Sequence, residues 1–157
     1  MPYYSRKSAR IPNYDYSRCN YYFITICTHE QHCLFGSPDN LNQYGIIAQE
    51  EIMNLSSHYE KVLIDKFVVM PNHIHMILII GDGENNPNLN HIIGQYKSGV
   101  SRIIHEFAPD KKIWQRSYHD HVIRDQKGYE KIWMYIENNP LKWEEDCFYQ
   151  KSKDEMR

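Results

Sequence analysis

Alternating apolar positions predict three β-strands in the first half of the chain. From Asn20 to Thr28, β-branched and aromatic residues alternate with period two, which is typical of a strand in a sheet. Two longer apolar runs, at 61–70 and 73–80, flank a Pro-Asn dipeptide. Apolar runs on either side of a two-residue turn indicate an antiparallel hairpin, and their nearly continuous hydrophobicity indicates two central strands.

Apolar residues at steps of three and four predict three helices. The first covers 41–59 and the second 89–107. The third begins at 127 and must stop near Asn139, because Pro140 pushes the residue before it out of the α region. An extended segment at 113–125 separates the last two helices. This order of elements predicts an α+β domain in which helices pack on the faces of a central antiparallel β-sheet.

The length of 157 residues fits a single domain, which at this size buries about two-thirds of the surface of its unfolded chain. The four cysteines form no C-x-x-C pair, which argues against a zinc knuckle or a thioredoxin-type redox site. No segment approaches the roughly 20 apolar residues of a membrane span, and the N-terminus lacks the apolar core of a secretory signal. We therefore expect a cytoplasmic protein without a membrane partner.

The charges of the chain are unevenly distributed, although its net charge is only −2 and its pI about 6.5. Such a protein cannot present a broad cationic face to phosphates, so any contact with a nucleic acid must be local. We divide the chain into a basic N-terminal arm (1–18), a domain (19–141) and a short acidic C-terminal tail (142–157). The arm either follows a phosphate backbone or is an ordinary solvated terminus. Its basic residues are Arg6, Lys7, Arg10 and Arg18.

Two histidines in an apolar run are candidate metal ligands. His73 and His75 are two apart on a predicted strand, so their imidazoles project from the same face. An isolated H-x-H is more often a polar pair on an exposed face, but an unsatisfied polar group in a buried run costs about 1 to 3 kcal/mol. A second pair, His119 and His121, has polar neighbours and is interpreted as part of a supporting strand, with Asp120 or His121 as an outer partner of the site.

The last predicted helix combines a candidate nucleophile with a candidate oxygen ligand. Tyr135 points roughly 110° away from the centre of the apolar stripe, so it is not an obvious core residue. Asn139 follows four residues later and rises over the same face, about 6 Å along the axis. Taken alone, this helix fits a boundary tyrosine and a C-terminal cap better than a catalytic pair. The stripe itself comprises Tyr129, Ile132, Trp133 and Ile136.

Four blocks together resemble the single-tyrosine HUH transposases, in particular the REP-associated tyrosine transposases. HUH denotes His, hydrophobe, His, which His73, Ile74 and His75 match. The resemblance implies an HUH-type, ferredoxin-like or RRM-like domain in which Tyr135 is the catalytic tyrosine and Asn139 completes the metal site of the two histidines. In order from about Tyr22 to Pro140, the blocks are VVMPNHIHMILII, IIGQYKSGVSRII, WQRSYHDHVIRD and YIENNP.

The resemblance also implies a reaction and its partners. The expected reaction is metal-dependent cleavage and strand transfer of single-stranded DNA through a 5′-phosphotyrosine, with Mg²⁺ or Mn²⁺ as cofactor. No P-loop occurs in the sequence, and no nucleotide cofactor is expected. The basic arm resembles the segment that contacts a DNA hairpin in this branch, and a homodimer is left open. Candidate DNA contacts are Arg6, Lys7, Arg10, Lys97, Arg102, Arg116 and Arg124, with Tyr96 or Trp114 as a base-stacking residue.

Two alternatives stay open from the sequence. An α+β sheet with aromatic residues and a basic arm can bind single-stranded nucleic acid without cutting it. A metal-dependent nuclease can use water as its nucleophile, in which case Tyr135 is incidental. Retention of DNA on the denatured protein separates both alternatives from a tyrosine transposase.

Overall fold

The computed structural model describes residues 20–83, 85–146 and 148–149. Short single-turn 3₁₀ segments lie at His29–Gln31 and Trp143–Glu145. None of the helices in these ranges is long and apolar enough to cross a membrane. In chain order the strands and α-helices are β1 (Asn20–Cys27), β2 (Gly36–Ser37), β3 (Asn40–Leu41), α1 (Gln43–Met53), α2 (Leu55–His58), β4 (Val62–Met70), β5 (His73–Ile80), α3 (Leu89–His105), β6 (His119–Ile123) and α4 (Gln126–Asn138).

A four-stranded sheet with the order β4-β5-β1-β6 forms the centre of the fold, and each neighbouring pair is antiparallel. β4 and β5 form the predicted hairpin through Pro71 and Asn72, which places Met70 opposite His73. The expectation that both hairpin strands are central is correct for β5 and wrong for β4. β4 lies at the sheet edge, where Leu63 is exposed and the pairing with β5 is irregular between Ile64 and Lys66.

The sheet has helices on both faces, which confirms the predicted α+β architecture. α1 and α3 cover the face that carries Tyr22, Ile24 and Ile26 of β1, and this side contains the larger hydrophobic core. α4 covers the other face, where Ile132 and Ile136 pack on the sheet. Burying each such side chain contributes about 1.5 to 3 kcal/mol. We call the second side the α4 face; Phe23 and Ile77 lie on it, and the alternation of β5 brings His73 and His75 to it as well.

Two predicted elements are shorter in the structure. The first helix ends at Met53, and a separate short helix follows from Leu55. The segment at 113–125 forms a strand only from His119, because Ser117 has a φ of 68°, in the left-handed region that a β-strand does not use. The last helix starts after Asp125, whose side chain accepts a hydrogen bond from the Gly128 N–H, and ends at Asn138, next to the predicted end near Asn139. Asn139 itself keeps helical angles, with φ −58° and ψ −44°, so the expectation that Pro140 pushes it out of the α region is wrong.

Candidate active site

Two buried histidines at the start of β5 form the base of the site. Both His73 and His75 are fully buried, and their ring centroids are 4.5 Å apart. The period-two alternation of β5 explains this placement, because residues two apart project from the same face. The strand register sets Thr25 of β1 beside His75.

Each ring is oriented through its Nδ1 atom. The Nδ1 of His73 lies 2.8 Å from Oδ1 of Asn72, and the Nδ1 of His75 lies 2.9 Å from the hydroxyl oxygen of Thr25. The Nε2 of His73 is buried and has no hydrogen-bond partner among the residues that the structure describes. It lies 3.9 Å from Oδ2 of Asp146. This nitrogen therefore faces the interior of the site.

Burial keeps both imidazoles neutral. It lowers the pKa of His73 to about 4, although the charge of Asp146 and the amide of Asn139 oppose that shift. Burial also lowers the pKa of His75 well below its usual range, and the neighbouring His73 adds to the effect. The neutral imidazole is the form that binds a metal ion. Both rings are thus in the ligating state at neutral pH.

Asp146 is a further candidate ligand, which the sequence analysis missed. Its side chain is 0% exposed, and one ligand atom from each of His73, His75 and Asp146 lies within 4.8 Å of the others. The Phe148 N–H donates to its Oδ1 at 2.8 Å. A buried carboxylate is costly unless charge or hydrogen bonds compensate it, and a divalent cation held with the two imidazoles would do so.

Asn139 lies where the sequence analysis placed it, at the end of α4, and is 3% exposed. Its Nδ2 donates to Oδ2 of Asp146 at 2.6 Å. Its Oδ1 is buried and makes no hydrogen bond within the described part of the chain. The Asn139 amide therefore positions the Asp146 carboxylate through Nδ2, and its Oδ1 is available to bind a metal ion.

Tyr135 stands beside the histidine pair. Its ring centroid is 5.2 Å from that of His75 and 6.2 Å from that of Phe23. Its hydroxyl lies 3.5 Å from Oδ2 of Asp146. The predicted stripe of α4 packs on the sheet as expected, with Ile132 and Ile136 buried. That packing leaves Tyr135 half-buried at the margin of the hydrophobic cluster, with its phenol on the side of the candidate ligands.

Two other tyrosines of the described chain, Tyr129 and Tyr118, are engaged elsewhere. The Tyr129 hydroxyl donates to Asp65, and this hydrogen bond raises the pKa of Tyr129 to about 12. The Tyr118 hydroxyl donates to Asn90 at 2.7 Å, and its ring belongs to the core on the α1 and α3 side. Tyr135 is therefore the best placed of the three.

A cleft of about 320 Å³ opens along α4 next to Tyr135. Two lysines, Lys131 and Lys142, line it, and Lys131 precedes Tyr135 by four residues on the helix. That spacing is visible in the sequence, because residues four apart share a helix face. Its remaining lining residues are Met134, Asn138, Asn139, Glu145 and Asp146.

Comparison with known proteins assigns a family. A model of the family described as "Transposase IS200 like" matches residues 15–139. The chain belongs to this transposase family. A Haemophilus influenzae protein described as uncharacterized is 35% identical to this transposase over 92% of the chain and 93% of its own length. A second protein of that organism, provisionally named a REP-associated tyrosine transposase, is 24% identical over 82% of the chain and 74% of its own length.

Two solved structures share the fold of this transposase. One is a REP-associated tyrosine transposase bound to a REP hairpin, with a TM-score of 0.65 and 22% identity over 90% of this chain and 74% of that chain. The other comes from Deinococcus radiodurans and is provisionally called a transposase. It has a TM-score of 0.54 and 16% identity over 82% of this chain and 95% of that chain. Both likenesses support the fold predicted from the sequence.

Within the described ranges, the residues predicted to contact DNA are not gathered around Tyr135. Lys97 donates from Nζ to the main-chain carbonyls of Gln115 at 2.8 Å and Ser117 at 3.0 Å, so it braces the segment before β6. Arg102 is exposed on α3, on the opposite side of the sheet from α4, and Arg124 is exposed after β6. The others are Arg116, exposed in the segment that Lys97 braces, and Arg6, Lys7 and Arg10, which lie outside the described residues.

The expectation of base stacking by Tyr96 is wrong for this transposase. Tyr96 is 2% exposed, and its hydroxyl donates to the carbonyl of Ala48 at 2.8 Å. Trp114 is also held in place, since its ring packs against Phe35 and its Nε1 donates to the carbonyl of Lys97. Both rings were candidates because aromatic composition does not distinguish stacking platforms from core residues.

The second histidine pair is peripheral to the site. His119 lies opposite Thr25 in the register and so shares the α4 face, while His121 is exposed. Asp120 alternates to the other face. The outer contacts expected from Asp120 or His121 are made instead by Thr25 and Asn72.

Proposed function

We propose that this chain is a metal-dependent transposase that cuts and rejoins single-stranded DNA through a 5′-phosphotyrosine on Tyr135. The proposal is carried by one arrangement: the Tyr135 hydroxyl lies 3.5 Å from Asp146, whose carboxylate groups with His73 and His75 within 4.8 Å. Membership in the transposase family supports DNA as the substrate.

The buried donor atoms fit a divalent cation. His73, His75 and Asp146 would hold it, and Oδ1 of Asn139 is a candidate fourth ligand because it is buried without a hydrogen-bond partner in the described ranges. Imidazole nitrogens mixed with hard oxygens suit Mn²⁺, and Mg²⁺ is the alternative. When bound, such a cation supplies Lewis-acid stabilisation of the charge on the phosphate oxygens.

The residues of the chain account for the covalent step. The Tyr135 oxygen forms a bond to phosphorus as the bond from phosphorus to the 3′ oxygen breaks, and the leaving oxygen takes up a proton to become a 3′-OH. The phenol gives up its proton in this step, and the 3.5 Å contact between its hydroxyl and Oδ2 of Asp146 supports that carboxylate as the acceptor. The phosphotyrosine ester conserves the energy of the broken bond, so a 3′-OH can reverse the step without a nucleotide cofactor.

The substrate follows from the distribution of charge. With a net charge of −2, the protein must concentrate its cations, and Lys131 and Lys142 line the cleft beside Tyr135. A flexible single strand reaches an in-line geometry at this cleft more easily than a stacked duplex does. We further propose that the basic arm, 1–18, binds a hairpin next to the cleavage site, as the REP hairpin bound to the structural relative suggests.

The experiment that tests the proposal is incubation of labelled single-stranded DNA with the protein and Mn²⁺, followed by a denaturing gel. A labelled band that migrates with the protein is expected for the wild type and not for Tyr135→Phe. Binding without cleavage would favour the non-catalytic module. Cleavage without any protein-bound label would favour a nuclease that uses water.

A further inference from the structure

We propose that Asn72 is a positioning residue that fixes the tautomer of His73 and ties it to the segment that carries Asp146. This inference rests on the proposed metal site. Asn72 is fully buried in the turn between β4 and β5, directly before His73. Asn72 acts on the proposed metal site through His73 and is not itself a candidate ligand.

The orientation of the Asn72 amide is determined by its neighbours. Its Nδ2 donates to the carbonyl oxygen of Phe148 at 2.7 Å and to that of Gln31 at 3.2 Å. Carbonyl oxygens only accept, so this end of the side chain must be the nitrogen. The other end is therefore the oxygen, and it lies 2.8 Å from Nδ1 of His73.

An amide oxygen also only accepts, so Nδ1 of His73 must carry the proton. A neutral imidazole has a single N–H, and the lone pair then sits on Nε2, the atom that lies 3.9 Å from Asp146. In the opposite tautomer, a lone pair on Nδ1 of His73 would face a lone pair on Oδ1 of Asn72, and the two would repel each other. Asn72 thus selects the tautomer in which the inward nitrogen can bind a metal ion.

Asn72 also sets the spacing between two candidate ligands. The Phe148 carbonyl accepts from the Asn72 amide, and the Phe148 N–H donates to Oδ1 of Asp146 at 2.8 Å. One residue therefore links the start of β5 to the segment after α4. Without this link the Asp146 carboxylate remains a candidate ligand, but its distance from His73 is less constrained.

The backbone of Asn72 is held independently of its side chain. The N–H of Thr28 donates to the Asn72 carbonyl at 3.0 Å, and the N–H of Phe35 donates to the carbonyl of the preceding Pro71, also at 3.0 Å. Replacing the side chain leaves these hydrogen bonds in place, so the turn and the hairpin are expected to keep their structure. The loss should therefore appear in the site rather than in the fold.

The test compares the full-length wild type with Asn72→Ala and the control Asn86→Ala. Asn86 also donates from Nδ2 to a carbonyl, that of Gly81 at 2.9 Å, at the far end of β5. Nitrogen NMR of the metal-free protein reports the His73 tautomer, and calorimetry reports the Kd for Mn²⁺. Asn72→Ala is expected to lose the pure Nδ1–H form and to weaken Mn²⁺ binding about 10- to 100-fold, with Asn86→Ala unchanged.

A third variant covers the case in which Asn72→Ala does not fold. Asn72→Asp keeps the acceptor that faces His73 and removes the donors to Phe148 and Gln31, so the Nδ1–H tautomer should persist. The opposite tautomer in the wild type or in Asn72→Asp would overturn the proposal. Unchanged tautomer and Mn²⁺ affinity in Asn72→Ala would overturn it as well. Failure of the wild type to bind Mn²⁺ would instead count against the proposed function, since the tautomer is measured without metal.

Discussion

At the scale of single residues, Asp146 has the strongest claim to hold a cation with the two histidines. It is a buried carboxylate that accepts hydrogen bonds from the Asn139 amide and the Phe148 main chain. Hydrogen bonds stabilise its charge but do not neutralise it, whereas a bound cation does both. The two rings beside it, His73 and His75, are held neutral by burial and supply no positive charge at neutral pH.

The first prediction concerns this carboxylate. Asp146→Asn keeps the shape of the side chain and removes its charge, so Mn²⁺ affinity should fall by more than about 100-fold, the upper end of what loss of an outer partner costs. His75→Ala should show a comparable loss, while the matched change His119→Ala should have little effect. Calorimetry with Mn²⁺ measures all three. Full affinity in Asp146→Asn would exclude the carboxylate as a ligand.

The second prediction concerns the nucleophile. Tyr135→Phe should abolish the covalent adduct and change the free energy of unfolding by less than about 1.5 kcal/mol, because the hydrogen bond to Asp146 is long. Tyr129→Phe is the matched control and should retain the adduct. A denaturing gel and a urea titration give the two readouts. An adduct that survives in Tyr135→Phe and disappears in Tyr129→Phe would mean that Tyr129, and not Tyr135, is the nucleophile.

At the scale of elements, α4 is fastened to β4 as well as to the core. Besides the burial of Ile132 and Ile136, Tyr129 donates to Asp65 and Glu137 pairs with Lys66. These contacts to the edge strand fix the height of α4, and with it Tyr135, over the sheet. Loss of these two contacts is expected to weaken the packing of α4 on the sheet without unfolding the core.

The third prediction is a pH dependence of this docking. Because the hydrogen bond to Asp65 raises the pKa of Tyr129 to about 12, above the usual value of 10.0, the folded state favours the protonated phenol. Its contribution to stability is present below pH 10 and disappears as the pH rises through 12. Urea titrations of wild type and Tyr129→Phe at about pH 8 and pH 11.5 measure this. A difference between them that does not shrink at the higher pH would contradict the prediction.

The fourth prediction concerns the cleft along α4. Lys131→Ala and Lys142→Ala should each weaken binding of single-stranded DNA, by about 1 kcal/mol or roughly fivefold in Kd. The slope of log K against log salt should fall by about 0.7 for each phosphate that the variant no longer neutralises. Lys61→Ala is the control, since Lys61 precedes β4 at the far end of the hairpin from His73. Equal effects of all three substitutions would mean that the cleft has no special role.

Sequence patterns could predict those parts of the site that depend on a single element. The shared face of His73 and His75 follows from the period of a strand, and the relation of Tyr135 to Asn139 follows from the period of a helix. Asp146 lies beyond the end of α4, where no periodicity applies, and tertiary contacts place it. The edge position of β4 was missed for a similar reason, because strand order depends on which strands pair.

At the scale of the whole molecule, the sheet separates two sides with different roles. The side with α1 and α3 holds the larger core, and the α4 side holds the histidines, the tyrosine and the cleft. The formal net charge of −2 is a sum over two unlike ends of the chain. Basic residues are in excess in 1–18, and acidic residues are in excess after Pro140. We therefore expect DNA to contact the protein through few basic residues. Binding should then depend on whether the DNA is single-stranded, duplex or flanked by a hairpin.

The fifth prediction concerns that form. The protein should cleave single-stranded oligonucleotides and leave full duplexes intact, and a hairpin beside the cleavage site should lower the Kd. Deletion of residues 1–18 should remove the benefit of the hairpin and leave cleavage of the unpaired strand, because the arm supplies concentrated positive charge and none of the candidate ligands. Equal cutting of duplex DNA would contradict the first part. An unchanged preference for the hairpin after deletion would contradict the second.

The most direct test of the central claim is to locate the DNA covalently attached to the denatured protein. Two samples of one oligonucleotide, labelled at the 5′ or at the 3′ end, are incubated with the protein and Mn²⁺, and the adduct is digested and mapped by mass. If Tyr135 is the nucleophile, the 3′-labelled fragment stays on the peptide containing Tyr135, while the 5′-labelled fragment is released with a free 3′-OH. Attachment of the 5′-labelled fragment, attachment at another residue, or cleavage without attachment would contradict it.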